Sequence, residues 1–424
     1  MRQSVPSFVA VILLWTSASS TQLPEHTSVK METPPILYTT ATLHDPVAEL
    51  NRKLTNGSAR LAYDNVFGYL PAVLDALGIP KESQVLAFSK TSLQSILISP
   101  SNPRAIYFNE ASTVAWVRGS PTLEVAVQDP EQGAIFYTLD QSVQTTPLLA
   151  RESVCLGCHH STSSLDVPGM VVRTVFPGAT GTLVTGLVGS EVDHRTPFEE
   201  RWGGWYVTGK LGPLRHLGNA VVREVSASAQ TALLQPIREP LQERFSTSGY
   251  PTPYSDIVSL AVFEHQMHMM NLITRVGWES RVALYIDPTG RNDGTTKTLR
   301  DAAREFVDYL LFADEAPLTA KIEGTSGFAA KFASEGPFDS KGRALRQLDL
   351  NHRLMRYPCS YMIYSDAFHA LNAAARDAIF RRMWEVLSGQ AKEKKYERLS
   401  SDDRKAIVEI LRDTVKDLPD YFKF

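Results

Sequence analysis

The sequence has few cysteines and no excess of charge of either sign. Three cysteines in 424 residues exclude a small secreted protein built on a disulfide framework, which needs several cysteine pairs. The chain carries 43 Lys and Arg against 46 Asp and Glu, a net charge of −3. Because phosphate binding needs a concentrated basic surface, we do not expect a nucleic acid as partner.

Long hydrophobic runs are also missing. The longest unbroken apolar run covers only eight residues and lies at the N-terminus. Arg2 precedes the apolar run Phe8–Trp15, and Ala18 and Ser20 then form a small-residue cleavage site. This arrangement is typical of a secretory signal peptide over residues 1–20, although a buried N-terminal strand is the alternative. The run is too short to span a bilayer, which takes about 20 residues. We therefore expect a periplasmic or secreted protein with no transmembrane segment after signal cleavage.

The composition changes along the chain. Residues 21–60 are rich in Thr, Pro, Ser and Asn and predict an extended lead-in. Runs of β-branched and aromatic residues between turn signals follow over 61–150 and predict antiparallel strands. Residues 251–424 show apolar residues at helical spacing, including a long helix predicted over 255–285. We expect an α+β fold, with residues 151–250 as a middle segment between the β-rich and the α-helical parts.

The middle segment contains the motif CLGCH, with Cys155, Cys158 and His159. C-x-x-C-H is the attachment pattern of c-type haem. Two thiols on one helical turn reach the two vinyl groups of the porphyrin, and the histidine that follows coordinates the iron. Since the motif occurs once, it predicts one covalent haem c and makes residues 151–250 the haem-attachment segment.

Three other interpretations of the two cysteines stay open. They could form a thioredoxin-like redox pair, although the flanking residues do not resemble a βαβ unit. They could supply half of a zinc site, which needs two further ligands, or match the motif by chance. The third cysteine, Cys359, is predicted to be a small buried apolar group.

The ligand at the sixth coordination position determines whether haem iron transfers electrons or binds small oxidants. His265 and Met269 are four residues apart on the predicted helix and so lie on the same inward face. We expect one of them to be the distal ligand. His194, Met170 or no protein ligand are the alternatives; equally, His265 could be a satisfied core histidine and Met269 a flexible core residue.

Further candidate residues flank these positions. Glu264 and His265 could act as a general acid/base pair if the protein is an enzyme. Arg201 could bind a haem propionate through its guanidinium, and Trp202 could cover the porphyrin face. A packed loop held by local ion pairs is the alternative for Arg201 and Trp202.

Four stretches together carry a resemblance: CLGCH, TPFEERWGGWYVTG, EHQMHMMNLITR and YPCSYMIYSDAFHAL. Over about residues 60–390 the chain resembles a family of secreted bacterial proteins described as cytochrome c domain-containing. The resemblance implies a covalent haem on Cys155 and Cys158 with His159 as axial ligand. It implies no particular reaction.

Three functional hypotheses follow from the sequence. The first is an exported monohaem c-type cytochrome that passes single electrons to a redox partner protein. The second is a haem enzyme, peroxidase- or oxygenase-like, with an open distal site. The third is a binding or structural module in which the two cysteines hold zinc or a disulfide.

Overall fold

The computed structural model describes residues 28–223 and 241–422. The predicted signal peptide, residues 1–20, lies outside the described residues. Within them, a β-sheet in the N-terminal half and helices in the C-terminal half confirm the α+β fold. None of the helices in the described part of the chain is long and apolar enough to cross a bilayer.

A seven-stranded sheet organises the N-terminal half, and its neighbouring strands are antiparallel throughout. The strand order in space is β6-β5-β4-β3-β2-β1-β9, while β7 and β8 form a separate pair. The bounds are β1 Val85–Ala87, β2 Arg104–Phe108, β3 Ser112–Trp116, β4 Thr122–Asp129, β5 Gly133–Asp140, β6 Ala150–Arg151, β7 Arg173–Thr174, β8 Ser190–Glu191 and β9 Trp205–Tyr206. The five longest strands fall in the region where β-branched and aromatic runs predicted them.

One face of this sheet packs against two N-terminal helices, α1 Pro46–Thr55 and α2 Leu70–Ala76. Helix α1 corrects the prediction of an extended lead-in over residues 21–60. Asp45 caps the helix by accepting from the backbone N–H of Val47 at 2.8 Å. The helix then buries Val47, Leu50 and Leu54. These three residues form an apolar stripe on an otherwise polar helix, and the stripe packs against the sheet.

The other α-helices within the described residues are α3 Leu156–His159, α4 Ile257–Ile286, α5 Asp293–Leu310, α6 Phe328–Ser334, α7 Asp366–His369, α8 Ala373–Leu387 and α9 Ser401–Thr414. Helix α4 is the predicted long helix and begins at the Asp256 cap. It is buried along most of its length because it lies between the sheet and the other C-terminal helices.

Helix α4 covers one end of the second face of the sheet. Phe263 packs on Phe108 with ring centroids 4.8 Å apart, and Thr274 accepts from Gln128 at 2.9 Å. Phe108 and Gln128 lie where β2 and β4 end. At the opposite end of the same face, where β2 and β4 begin, Arg104 and Glu124 are only half-buried. The C-x-x-C-H motif packs beside this end, on Ala126 and Phe136 in the middle of β4 and β5.

Candidate haem-attachment site

The motif forms a single helical turn with accessible thiols. The backbone N–H groups of Cys158 and His159 donate to the carbonyl of Cys155 at 3.1 and 3.0 Å. Cys158 is exposed, Cys155 is half-buried, and neither forms a disulfide. One turn of helix therefore presents both sulfurs and the imidazole from one short segment, as covalent attachment of a porphyrin requires.

The imidazole of His159 is held from behind by Gly169. Its Nδ1 lies 2.9 Å from the Gly169 carbonyl, and the Gly169 N–H donates to the His159 carbonyl at 2.9 Å. Because a carbonyl only accepts, Nδ1 must carry the proton, which leaves Nε2 with its lone pair. Burial lowers the pKa of His159 and so favours the neutral imidazole that binds metals. A ligating histidine is commonly oriented in this way by its second nitrogen.

Asn271 on helix α4 fixes the segment that holds His159. Its side chain accepts from the Met170 N–H at 3.0 Å and donates to the Met170 carbonyl at 2.7 Å. A Cβ at Gly169 would lie 2.2 Å from the Asn271 Oδ1, so only glycine permits this close approach. Sequence reasoning missed Asn271; the signal available was a polar residue within the apolar stretch MMNLI.

We expect Asn271→Leu to lower the free energy of unfolding by about 2–4 kcal/mol, because both Met170 backbone groups lose their partner. Urea unfolding monitored by circular dichroism measures the loss. Asn351→Leu serves as the control, since the amide of Asn351 bonds only at the exposed surface, and should change stability by less than about 0.5 kcal/mol. Equal losses in both variants would contradict the bridging role of Asn271.

The surroundings of the two thiols do not resemble a redox-active pair. Burial, together with the charges of Glu124 and Glu152, raises the pKa of Cys155 to about 11, whereas an attacking thiol has a lowered pKa. The preceding strand β6 pairs antiparallel with β5 and does not form a βαβ unit. Within residues 28–223 and 241–422, no group of three or more His, Cys, Asp or Glu side chains is arranged to hold a metal ion, so the thiols have no further zinc ligands there.

These differences predict an order of alkylation in the chain without haem. Cys158 should react first, Cys155 about tenfold or more slowly because its thiolate is scarce, and the buried Cys359 only on unfolding. Mass spectrometry of iodoacetamide-labelled peptides measures the order. Denaturant is expected to bring the three rates together; faster labelling of Cys155 than of Cys158 under native conditions would refute the prediction.

Glu264, Arg201 and Trp202 meet in a buried network within the core. Glu264 accepts from Nη1 of Arg201 and, at 2.9 Å, from the indole Nε1 of Trp202. The other guanidinium nitrogens of Arg201 donate to the carbonyls of Thr196 and His194. Burial raises the pKa of Glu264 to about 7. Arg201, predicted to bind a haem propionate, and Trp202, predicted to cover the porphyrin face, thus both donate to Glu264.

His265 is buried with both ring nitrogens engaged. Its Nδ1 lies 2.7 Å from the Nδ1 of His194, and its Nε2 lies 2.7 Å from the hydroxyl of Ser360. Its ring stacks on Phe312 with centroids 4.4 Å apart. In this arrangement His265 has no nitrogen free for iron, and with Glu264 it forms no acid/base pair that a substrate could reach.

The methionine candidates lie in two different places. Met269 is fully buried in the main C-terminal core. Met170 packs with Cys155 against a small cluster of Ala126, Ala134 and Phe136 on the sheet. The backbone of Met170 follows Gly169, on the Nδ1 side of the His159 ring and opposite to Nε2.

A separate cavity of about 550 Å³ lies between residues 162–165, residues 190–200 and His268 of helix α4. Leu165, Arg195 and His268 are among its lining residues. Arg195 bonds to Asp193 and, at 3.2 Å, to Nε2 of His268. Burial lowers the pKa of His268 to about 4, so its imidazole is neutral at pH 7.

Four histidines, two of them buried and two half-buried, make stability sensitive to acid. Burial lowers the pKa of His194 well below its usual value, that of His265 to about 3, and those of His216 and His268 to about 4. The unfolded chain protonates these imidazoles near pH 6.5 and the folded chain does not, so their contribution to stability is present above pH 6.5 and is lost as pH falls.

Two glutamates act in the opposite direction. Burial raises the pKa values of Glu264 and Glu315 to about 7, which favours folding as pH falls from 7 to 4.5. Four histidines destabilise the fold as pH falls and two glutamates stabilise it, so the histidines dominate. We expect the free energy of unfolding to fall by about 1–3 kcal/mol per pH unit between pH 6 and 5. Urea titrations at several pH values measure this slope. His268→Gln should flatten it and the exposed His352→Gln should not; a higher stability at pH 5 than at pH 7 contradicts the expectation.

Comparisons of the chain with protein-family models, with curated proteins and with solved structures find no match.

Proposed function

We propose that the protein is an exported monohaem c-type cytochrome that binds one haem covalently through Cys155 and Cys158 and transfers single electrons. One observation carries the proposal: the C-x-x-C-H turn presents its thiols while Gly169 holds the Nδ1 side of His159. This arrangement leaves Nε2, the nitrogen that an axial ligand uses, without a hydrogen bond among the described residues.

Each residue of the turn has a distinct role in this proposal. Cys155 and Cys158 would tether the cofactor, and His159 would hold its iron through Nε2. Gly169 and Asn271 fix the orientation of the imidazole, and the hydrogen bond at Nδ1 increases its electron donation. Haem supplies a metal centre that gains and loses one electron, with a potential set by its ligands and burial.

Export is part of the same proposal. Covalent attachment of haem takes place outside the cytoplasm, and the pattern of residues 1–20 is that of a secretory signal. We propose a periplasmic or secreted location and a redox partner protein.

The alternative, a haem enzyme with an open distal site, has one observation in its favour. His265 has no free nitrogen and Met269 is enclosed in the main core, so neither expected distal ligand is disposed to bind the iron in this arrangement. The proposed acid/base pair of that enzyme is equally enclosed, because Glu264 is held by Arg201 and Trp202. Electron transfer is therefore the function we favour.

Absorption spectra of the holoprotein in both oxidation states distinguish the two. An electron carrier is expected to give low-spin spectra that do not change on addition of peroxide or cyanide, with a sixth ligand other than His265 or Met269 as they are placed here. A high-spin ferric spectrum that shifts with either reagent would overturn electron transfer as the main function and favour the enzyme. The Cys155→Ala/Cys158→Ala variant serves as the control without covalent haem.

A further inference from the structure

The less covered end of the sheet, beside the motif, carries an arginine with spare binding capacity. Nη1 of Arg104 lies 3.3 Å from the carboxylate of Glu124. Its Nε is buried and has no hydrogen-bond partner among the described residues. The edge formed by Nε and Nη2 is one of the two edges through which a guanidinium binds a carboxylate with two parallel hydrogen bonds.

Arg104 and Glu124 are close to the attachment residues. Glu124 lies opposite Thr138 in the strand register, and the Thr138 hydroxyl donates at 2.9 Å to Glu152, three residues before Cys155. Nη2 of Arg195 in the cavity lies 3.2 Å from Nε2 of His268 instead. Arg104 and Glu124 on the sheet are therefore linked to the segment just before the motif, while Arg195 lines the cavity that begins at Thr162, after the motif.

Exposed aliphatic side chains border the same place. Ser92 donates to both oxygens of Glu124, at 3.1 and 3.2 Å, and so anchors the segment 92–97. In this segment Leu93 is 62% and Ile96 is 90% exposed, and next to Cys155 the side chain of Val154 is 58% exposed. Large aliphatic groups gathered around one exposed site indicate a surface that is covered by another molecule.

The sheet beneath is lined by small side chains. Ala115 and Ala126 point to this face, opposite Glu124 and Phe136 in the strand register. Cys155 packs on the cluster that contains Ala126. Both alanines are buried, so a molecule that covers this place would contact the apolar border and the guanidinium, and a flat apolar molecule with carboxylates at its edge matches both.

We propose that this end of the sheet is the haem-binding face, with Arg104 bound to a haem propionate and Leu93 and Ile96 covering the porphyrin edge. The inference rests on the proposed function, since it needs haem attached at Cys155 and Cys158. The inference assigns the binding of a haem propionate to Arg104, whereas the sequence suggested Arg201 for this role.

The reduction potential as a function of pH tests the role of Arg104. The reduction potential changes with pH around the pH at which the propionate gains its proton. A cation beside a carboxylate keeps it ionised, so Arg104→Gln should raise that pH by about 1–3 units. The same substitution removes a positive charge and should lower the reduction potential at neutral pH. Arg195→Gln is the matched control in the separate cavity and should leave both unchanged. A shift in Arg195→Gln with none in Arg104→Gln would overturn the inference and place the haem in that cavity; no shift in either would also overturn it.

Amide hydrogen exchange provides a second measurement that needs no variant. We expect the amides of residues 92–97 to exchange more slowly in the holoprotein than in the chain matured without haem. Unchanged exchange there would contradict the covering role of this segment. If no haem is attached at all, the proposed function fails; if haem is attached but neither Arg104 nor the segment 92–97 responds, only the present inference fails.

Discussion

Glu264→Ala is expected to lower the free energy of unfolding by about 3–5 kcal/mol, because it leaves a buried guanidinium without its counter-charge. Arg201 is buried, and its ion pair with Glu264 lies wholly inside the core. The substitution also removes the acceptor of the Trp202 indole N–H. Chemical unfolding followed by circular dichroism and tryptophan fluorescence measures the loss.

Asp377→Ala provides the matched control for this prediction. Asp377 pairs with Arg381 on the surface, where both side chains are largely exposed, so the loss should stay below about 1 kcal/mol. A similar small effect for Glu264→Ala would show that the buried network is not a structural element of the core. Its role as a candidate acid/base site would then have to be reconsidered.

His159→Gly is expected to remove the axial ligand while both thioether positions remain. Holoprotein that matures with this substitution should have an altered absorption spectrum, and added imidazole should restore the parent spectrum by occupying the vacated space. The reason is that Nε2 of His159 is the nitrogen left for the metal once Nδ1 is held by Gly169.

The adjacent histidine is the control for the axial-ligand prediction. The side chain of His160 follows His159 directly, and the same turn cannot direct two consecutive side chains at one iron. His160→Gly should therefore keep the parent spectrum and show no response to imidazole. A parent-like spectrum of His159→Gly without imidazole, or loss of the spectrum in His160→Gly, would contradict the assignment of the ligand.

Local sequence patterns predicted the helices and strands, because the spacing of apolar residues along a short segment largely determines which of the two it forms. Alternating and β-branched runs predicted β2 to β5, and the apolar spacing after Asp256 predicted α4. Helix α1 was missed because Thr, Pro and Asn dominate residues 21–60 and outweigh the spacing of Val47, Leu50 and Leu54.

The partners of individual polar residues could not be predicted in the same way. Glu264 and His265 were chosen as neighbouring titratable residues on one helix, and Arg201 because a guanidinium matches the geometry of a carboxylate. The same pattern arises when such residues satisfy one another in a core, and their partners are up to 95 residues away in sequence. Asn271 and Arg104 were missed for a related reason, since only the packing of α4 and the sheet brings them to the motif.

The mass of the peptide that contains Cys155 and Cys158 tests the central claim most directly. Protein produced in a host that matures c-type cytochromes should, after denaturation and digestion, give this peptide with the added mass of one haem bound through both cysteines. The Cys155→Ala/Cys158→Ala variant should give the unmodified peptide. A parent peptide of unmodified mass, from a host shown to mature a known c-type cytochrome, would contradict the account.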